Sequence, residues 1–70
     1  MQIELNQKQM KLLNLAKKQG FLNYSDFERI WTSPITQKTN VRYFILNEII
    51  EDDLSIVEWK HRKYKYIEEE

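Results

Sequence analysis

Tyr24-Ser25-Asp26-Phe27-Glu28-Arg29-Ile30-Trp31-Thr32-Ser33-Pro34-Ile35-Thr36-Gln37-Lys38-Thr39-Asn40-Val41-Arg42 reads as a short helix, a break, and the opening of a longer helix. Ser25 with Glu28 three residues on is a capping-box pattern, and Phe27, Ile30 and Trp31 give the helix behind it one apolar side. Thr32-Ser33-Pro34 ends it, because proline disfavours helical geometry in the residue before it, and Thr36 is placed to cap the next helix. From Gln37 to about Glu51, the residues Val41, Phe44, Ile45, Glu48 and Ile49 recur at three- and four-residue steps. The spacing therefore predicts helices over about 25–32 and 36–51.

On the N-terminal side, Asn6 and Gln9 form a reciprocal cap. Met10, Leu12, Leu13, Leu15 and Ala16 then keep helical spacing until Gly20 offers a left-handed stop, which predicts a helix over about 6–19. Phe21-Leu22 is a short apolar connection. On the C-terminal side, the acidic turn Glu51-Asp52-Asp53 gives way to two β-branched and aromatic runs, Leu54 to Lys60 and Lys63 to Glu68. They predict a two-stranded hairpin over about 54–68, turning near His61-Arg62. Trp31 and Trp59 fall in phase with apolar neighbours and are expected in the core, whereas the closing glutamates are expected to form a solvated, frayed tail.

A chain of 70 residues is expected to form one domain, 1–70, of the α+β class. A domain of this size buries only about 60% of its unfolded surface, so a deep catalytic cleft would compete with the core. Cysteine is absent, so neither a disulfide framework nor a thiolate zinc site is available. One glycine and one histidine, His61, leave no phosphate loop, nucleophile elbow or multi-histidine metal site. The acidic triplet 51–53 lacks the spacing of a calcium loop. No enzyme activity, cofactor or metal is expected, and with no long apolar run the expectation is a soluble, cytoplasmic protein.

The formal charge is zero, but it is distributed in blocks. Residues 1–20 carry four lysines against Glu4, residues 36–47 carry Lys38 and Arg42, and residues 59–67 carry Lys60, Arg62, Lys63 and Lys65 without an acid. Residues 48–58 hold Glu48, Glu51, Asp52, Asp53 and Glu58 without a cation. Electrostatic binding stays open if the fold gathers the basic blocks and sends the acidic one elsewhere.

The order of three helices and a hairpin, with Tyr24-Ser25-Asp26-Phe27 opening the second helix and Thr36-Gln37-Lys38-Thr39-Asn40-Val41-Arg42 opening the third, resembles the winged helix-turn-helix family over nearly the whole chain. Two features depart from the usual pattern: Asp52-Asp53 stands where many members place glycine, and the strand between helices one and two is reduced to Phe21-Leu22. The resemblance implies a three-helix domain with a C-terminal two-stranded wing. It also implies sequence-specific binding of double-stranded DNA, as in a small transcriptional regulator, with the third helix in the major groove.

At 100° per residue, Thr36, Thr39, Asn40, Tyr43 and Asn47 are expected to face away from Val41, Ile45 and Ile49, with Lys38 and Arg42 on the flank. Asn40 and Gln37 suit adenine, Arg42 suits guanine, and the threonines suit phosphate or a thymine methyl. Lys60, Arg62, Lys63 and Lys65 are expected on phosphates. The helix and the wing should then share a face, away from the acidic stretch 48–58. A homodimer, if formed, is expected to use Met1 to Leu5 or the first helix. The alternative is a protein-binding winged helix that docks a partner through the acidic stretch or an outward pair, Leu46 and Ile50.

Overall fold

Asn6 closes the first turn of the chain as its sequence predicts: its side chain accepts the Gln9 amide at 2.8 Å, while the Gln9 side chain accepts the Asn6 amide at 3.0 Å. The computed structural model describes residues 4–53 and 55–68. Met1–Ile3 of the expected dimer segment, Leu54 at the expected start of the hairpin, and Glu69-Glu70 of the closing run lie outside the described residues. The first helix, α1 (Gln7–Gln19), ends at Gly20, whose φ of 84° lies in the left-handed region where a side chain is disfavoured.

The Phe21-Leu22 connection is a strand, β1 (Phe21–Asn23), that pairs in full with the C-terminal strand. The second helix, α2 (Tyr24–Ile30), is shorter than the expected 25–32, and its first turn is closed by the Asp26 carboxylate accepting the Asn23 amide at 2.9 Å. The expected Ser25–Glu28 box therefore lies two residues beyond the cap that forms, Asn23–Asp26. Trp31 is already extended, with φ −118° and ψ 130°.

The third helix, α3 (Pro34–Leu46), starts and stops earlier than the expected 36–51. Pro34 is its first residue, where a missing N–H is no loss, so the residue that breaks one helix opens the next. At the other end, the Ile49 amide donates to the Phe44 carbonyl at 2.9 Å and the Glu48 amide to the Ile45 carbonyl at 3.0 Å. Glu48 sits at φ 58° between them. This is a Schellman stop with glutamate in the place glycine favours, and it reverses the chain so that Ile49 and Ile50 enter the core from outside the helix.

The hairpin over 54–68 is not formed as expected. The strand before the wing is β2 (Ile50–Glu51), a turn of 3-10 helix covers Trp59–His61, and β3 (Lys63–Tyr66) comes after it. The sheet is antiparallel in the order β1-β3-β2, with Leu22 opposite Tyr64 and Ile50 opposite Tyr66. Residues 55–58 do not pair in a strand; two of their carbonyls are taken by the Arg62 side chain, whose Nε donates to Ile56 O at 2.7 Å and a terminal nitrogen to Val57 O at 3.4 Å. The fold is α+β, three helices with a small three-stranded antiparallel sheet, which is compatible with a winged helix.

Phe27 is the centre of the core, with ring centroids 5.8 Å from Phe44, 5.8 Å from Tyr64 and 6.1 Å from Trp31. These pairs join α2 to α3 and to the central strand, each contributing about 0.5–1.5 kcal/mol beyond area burial. From α1, Leu12 and Ala16 are buried while Leu13 and Leu15 pack partly against the core. Both apolar sides of that helix are thus engaged, and Met10 is its exposed large apolar side chain. Among the described residues, no helix is long and apolar enough to cross a membrane.

Candidate nucleic-acid interface

The buried side of α3 consists of Gln37, Asn40, Val41 and Phe44. Two of these four are amides, so the helix is turned relative to the orientation its apolar residues alone predict. The Gln37 Oε1 accepts the Tyr24 hydroxyl at 3.0 Å and its Nε2 donates to the Trp31 carbonyl at 2.7 Å. Asn40 accepts Gln9 Nε2 at 3.0 Å and donates to the Thr36 carbonyl at 2.8 Å, tying α3 to α1. With 6% and 8% of their surface exposed and their polar atoms engaged, Gln37 and Asn40 have no face to offer a base. The expected adenine readers are structural.

Opposite this side, at 100° per residue, the outermost line is Ile35, Thr39, Arg42 and Leu46. Lys38 lies on the flank towards the wing and Thr36 on the other flank, both exposed. Tyr43 is half-buried, its hydroxyl donating to the Glu4 carbonyl at 2.8 Å, and Asn47 is half-buried, its side chain donating to the Tyr43 carbonyl at 2.8 Å. Neither stands on the outward line.

On the wing flank, Lys38 Nζ lies 5.8 Å and Arg42 Cζ 5.7 Å from the centre of the Trp59 ring. Among the described residues, neither cation has a carboxylate within ion-pair distance. Trp59 is half-buried rather than a full core residue, and its ring is the platform that joins α3 to the wing. Below it, a cleft of about 320 Å³ is lined by Tyr24, Glu28, Thr32, Pro34, Gln37, Lys38, Glu58, Trp59 and Lys60. Lys60 is exposed there, 3.9 Å from Glu28. Burial, and then the Glu28 charge, push the Tyr24 phenol above its ordinary value, keeping its proton on the bond to Gln37.

Arg62 belongs to the fold rather than to the surface. Its guanidinium lies 4.6 Å from the Trp59 centroid and 2.9 Å from the Asp52 carboxylate, with only 12% and 6% of the two side chains exposed. A phosphate has no access to it without breaking that pair. Lys63 and Lys65 flank the buried Tyr64 and so project from the face of the sheet turned away from the helices, Lys63 lying 4.5 Å over the Phe21 ring. Lys65 stands opposite both Phe21 and Glu51 on that face.

The structure therefore brings together Lys38, Arg42 and Lys60 around Trp59, and separates them from Lys63 and Lys65 on the other face of the sheet. The expected clean separation of acid from base does not occur. Asp52 is inside with Arg62, Glu51 is opposite Lys65, and Glu58 shares the cleft with Lys38 and Lys60. At the exposed acidic turn, the Ser55 hydroxyl and amide hold the Asp53 carboxyl below its usual range. Of the outward apolar pair, Leu46 is 81% exposed but Ile50, in β2, is buried in the core. Ile35 and Val57, not anticipated from the sequence, are exposed to a similar degree.

Among the described residues, no group of His, Cys, Asp and Glu side chains is placed to hold a metal, and His61 is exposed in the 3-10 turn. Comparison of the chain with family models, with curated proteins and with solved structures gave no match.

Proposed function

We propose that this chain is a winged-helix domain that binds duplex DNA, with α3 in the major groove and the 52–62 segment as a wing beside it. The observation that carries the reading is the pair Lys38 and Arg42, exposed, without an acidic partner among the described residues, and held against Trp59 at the junction of α3 and the wing. A phosphate at that junction would relieve the crowding of two like charges. The packing of α3 supports the same reading, because it buries Val41 and Phe44 in the core and leaves Ile35, Thr39, Arg42 and Leu46 exposed on its other side. The proposed biological role is that of a small regulator of transcription, with two copies on one site adding the binding area that a single module lacks.

Fluorescence anisotropy on mixed-sequence duplexes at several salt concentrations tests the proposal. Binding should weaken with salt, and Lys38→Ala or Arg42→Ala should each flatten the slope of log affinity against log salt by about one unit per phosphate no longer neutralised. Absence of binding at low salt refutes it. A second reading, a protein-docking module, is favoured by one observation: Ile35, Leu46 and Val57 are 79%, 81% and 82% exposed, more apolar surface than a phosphate clamp requires.

A further inference from the structure

On the DNA reading, and resting on it, we infer that α3 selects thymine through its methyl group, with Ile35 and Thr39 as the selecting residues. With Gln37 and Asn40 buried, the side chains suited to bidentate pairing with adenine are gone from the outward line. The Thr39 hydroxyl is also turned inward, donating to the Ile35 carbonyl at 2.8 Å, so the group that Thr39 presents is its methyl. Ile35, one turn earlier on the same line, presents only alkyl surface. At about 1.5 Å of rise per residue the two lie about 6 Å apart along the helix. That distance matches about two base steps at ~3.4 Å each.

The C5-methyl of thymine is the apolar group a base pair shows in the major groove, so two methyl-presenting side chains at this spacing match thymines about two steps apart. The occupant is duplex DNA rather than an apolar protein surface because Lys38 and Arg42, without an acidic partner among the described residues, stand beside Ile35 and Thr39 on the exposed side of α3.

The experiment selects bound duplexes from a random pool. It then compares each selected duplex with a version in which deoxyuridine replaces thymidine, which removes the methyls and leaves every hydrogen-bonding group in place. Affinity should fall about fourfold per contacted methyl, the worth of burying one methyl-sized group. Ile35→Ala, at a site exposed enough to leave folding alone, should bind the thymidine and deoxyuridine duplexes more nearly alike than the unsubstituted chain does. Selected duplexes that bind equally with and without the methyls overturn the inference while leaving DNA binding standing. A pool from which nothing is retained at low salt overturns the DNA reading, and this inference with it.

Discussion

Gln37 shows how one amide can fix the orientation of a helix. Its side chain bridges the Tyr24 hydroxyl and the Trp31 carbonyl, so replacing it with leucine would keep the volume and strand both partners. Gln37→Leu is expected to cost about 1–3 kcal/mol, read as a lower urea midpoint. Asn40→Ala should likewise lower stability and leave the affinity of the folded protein for DNA unchanged; a loss of affinity at full stability would return Asn40 to the interface. Glu48 is the opposite case, a side chain in a backbone conformation that suits glycine, with a negative charge at the unfavourable end of α3. Glu48→Gly should stabilise the domain by about 1 kcal/mol, raising Tm by about 4–8 °C. The sequence displayed the cap at Asn6 and the stop at Gly20 because short-range rules govern them. It hid the burial of Gln37 and Asn40, because an amide satisfied by tertiary partners is indistinguishable in the sequence from a solvated one.

The wing is where element-level reading failed, for a physical reason. Ile56 and Val57 have strand propensity, but propensity yields to the partner at hand, and here the partner is the Arg62 side chain rather than a neighbouring strand. The central strand, Lys63–Tyr66, falls within the expected run Lys63 to Glu68, whereas its two partners, Phe21–Asn23 and Ile50–Glu51, are too short to show an alternating pattern. Three helices were nonetheless legible from their apolar periods, with the ends displaced by Pro34 at the start of one and Glu48 at its close. If Arg62 organises the wing, Arg62→Met leaves the Asp52 carboxylate buried without its cation, an expected loss of about 3–5 kcal/mol. The double variant with Asp52→Asn should recover part of that loss, so a double-mutant cycle with near-zero coupling would show that the pair does not hold the wing.

For the whole molecule, the basic residues expected at one interface fall into two separate groups on different sides of the sheet. Charge blocks were visible in the sequence, but which of them meet depends on strand pairing, and the alternation of β3 sends Lys63 and Lys65 away from Lys38 and Arg42. Lys63→Ala should therefore leave DNA affinity nearly unchanged where Lys38→Ala lowers it. The same central strand makes stability depend on alkaline pH. Tyr64 is buried against Phe27 between sheet and helices, and burial pushes its phenol well above the ordinary value, with Asp52 adding to the rise and Arg62 opposing it. Tyr24 is raised too, by burial and then by Glu28. Both phenols hold their protons more tightly folded than unfolded, so their contribution is fully present below about pH 10, where unfolded tyrosine begins to ionise, and is lost as pH rises through the folded values. Denaturant midpoints should be insensitive to these groups below about pH 10 and decline above it. Tyr64→Phe should make that decline shallower, although the hydroxyl's 3.3 Å bond to the Trp59 carbonyl is removed. Phenolate absorbance provides the check, since the Tyr64 phenol, read as the difference between the unsubstituted chain and Tyr64→Phe, should ionise only as the protein unfolds. If that difference appeared near pH 10 with the fold intact, water would have to reach the Tyr64 hydroxyl in the native state, and burial between sheet and helices could not be the cause of its raised pKa.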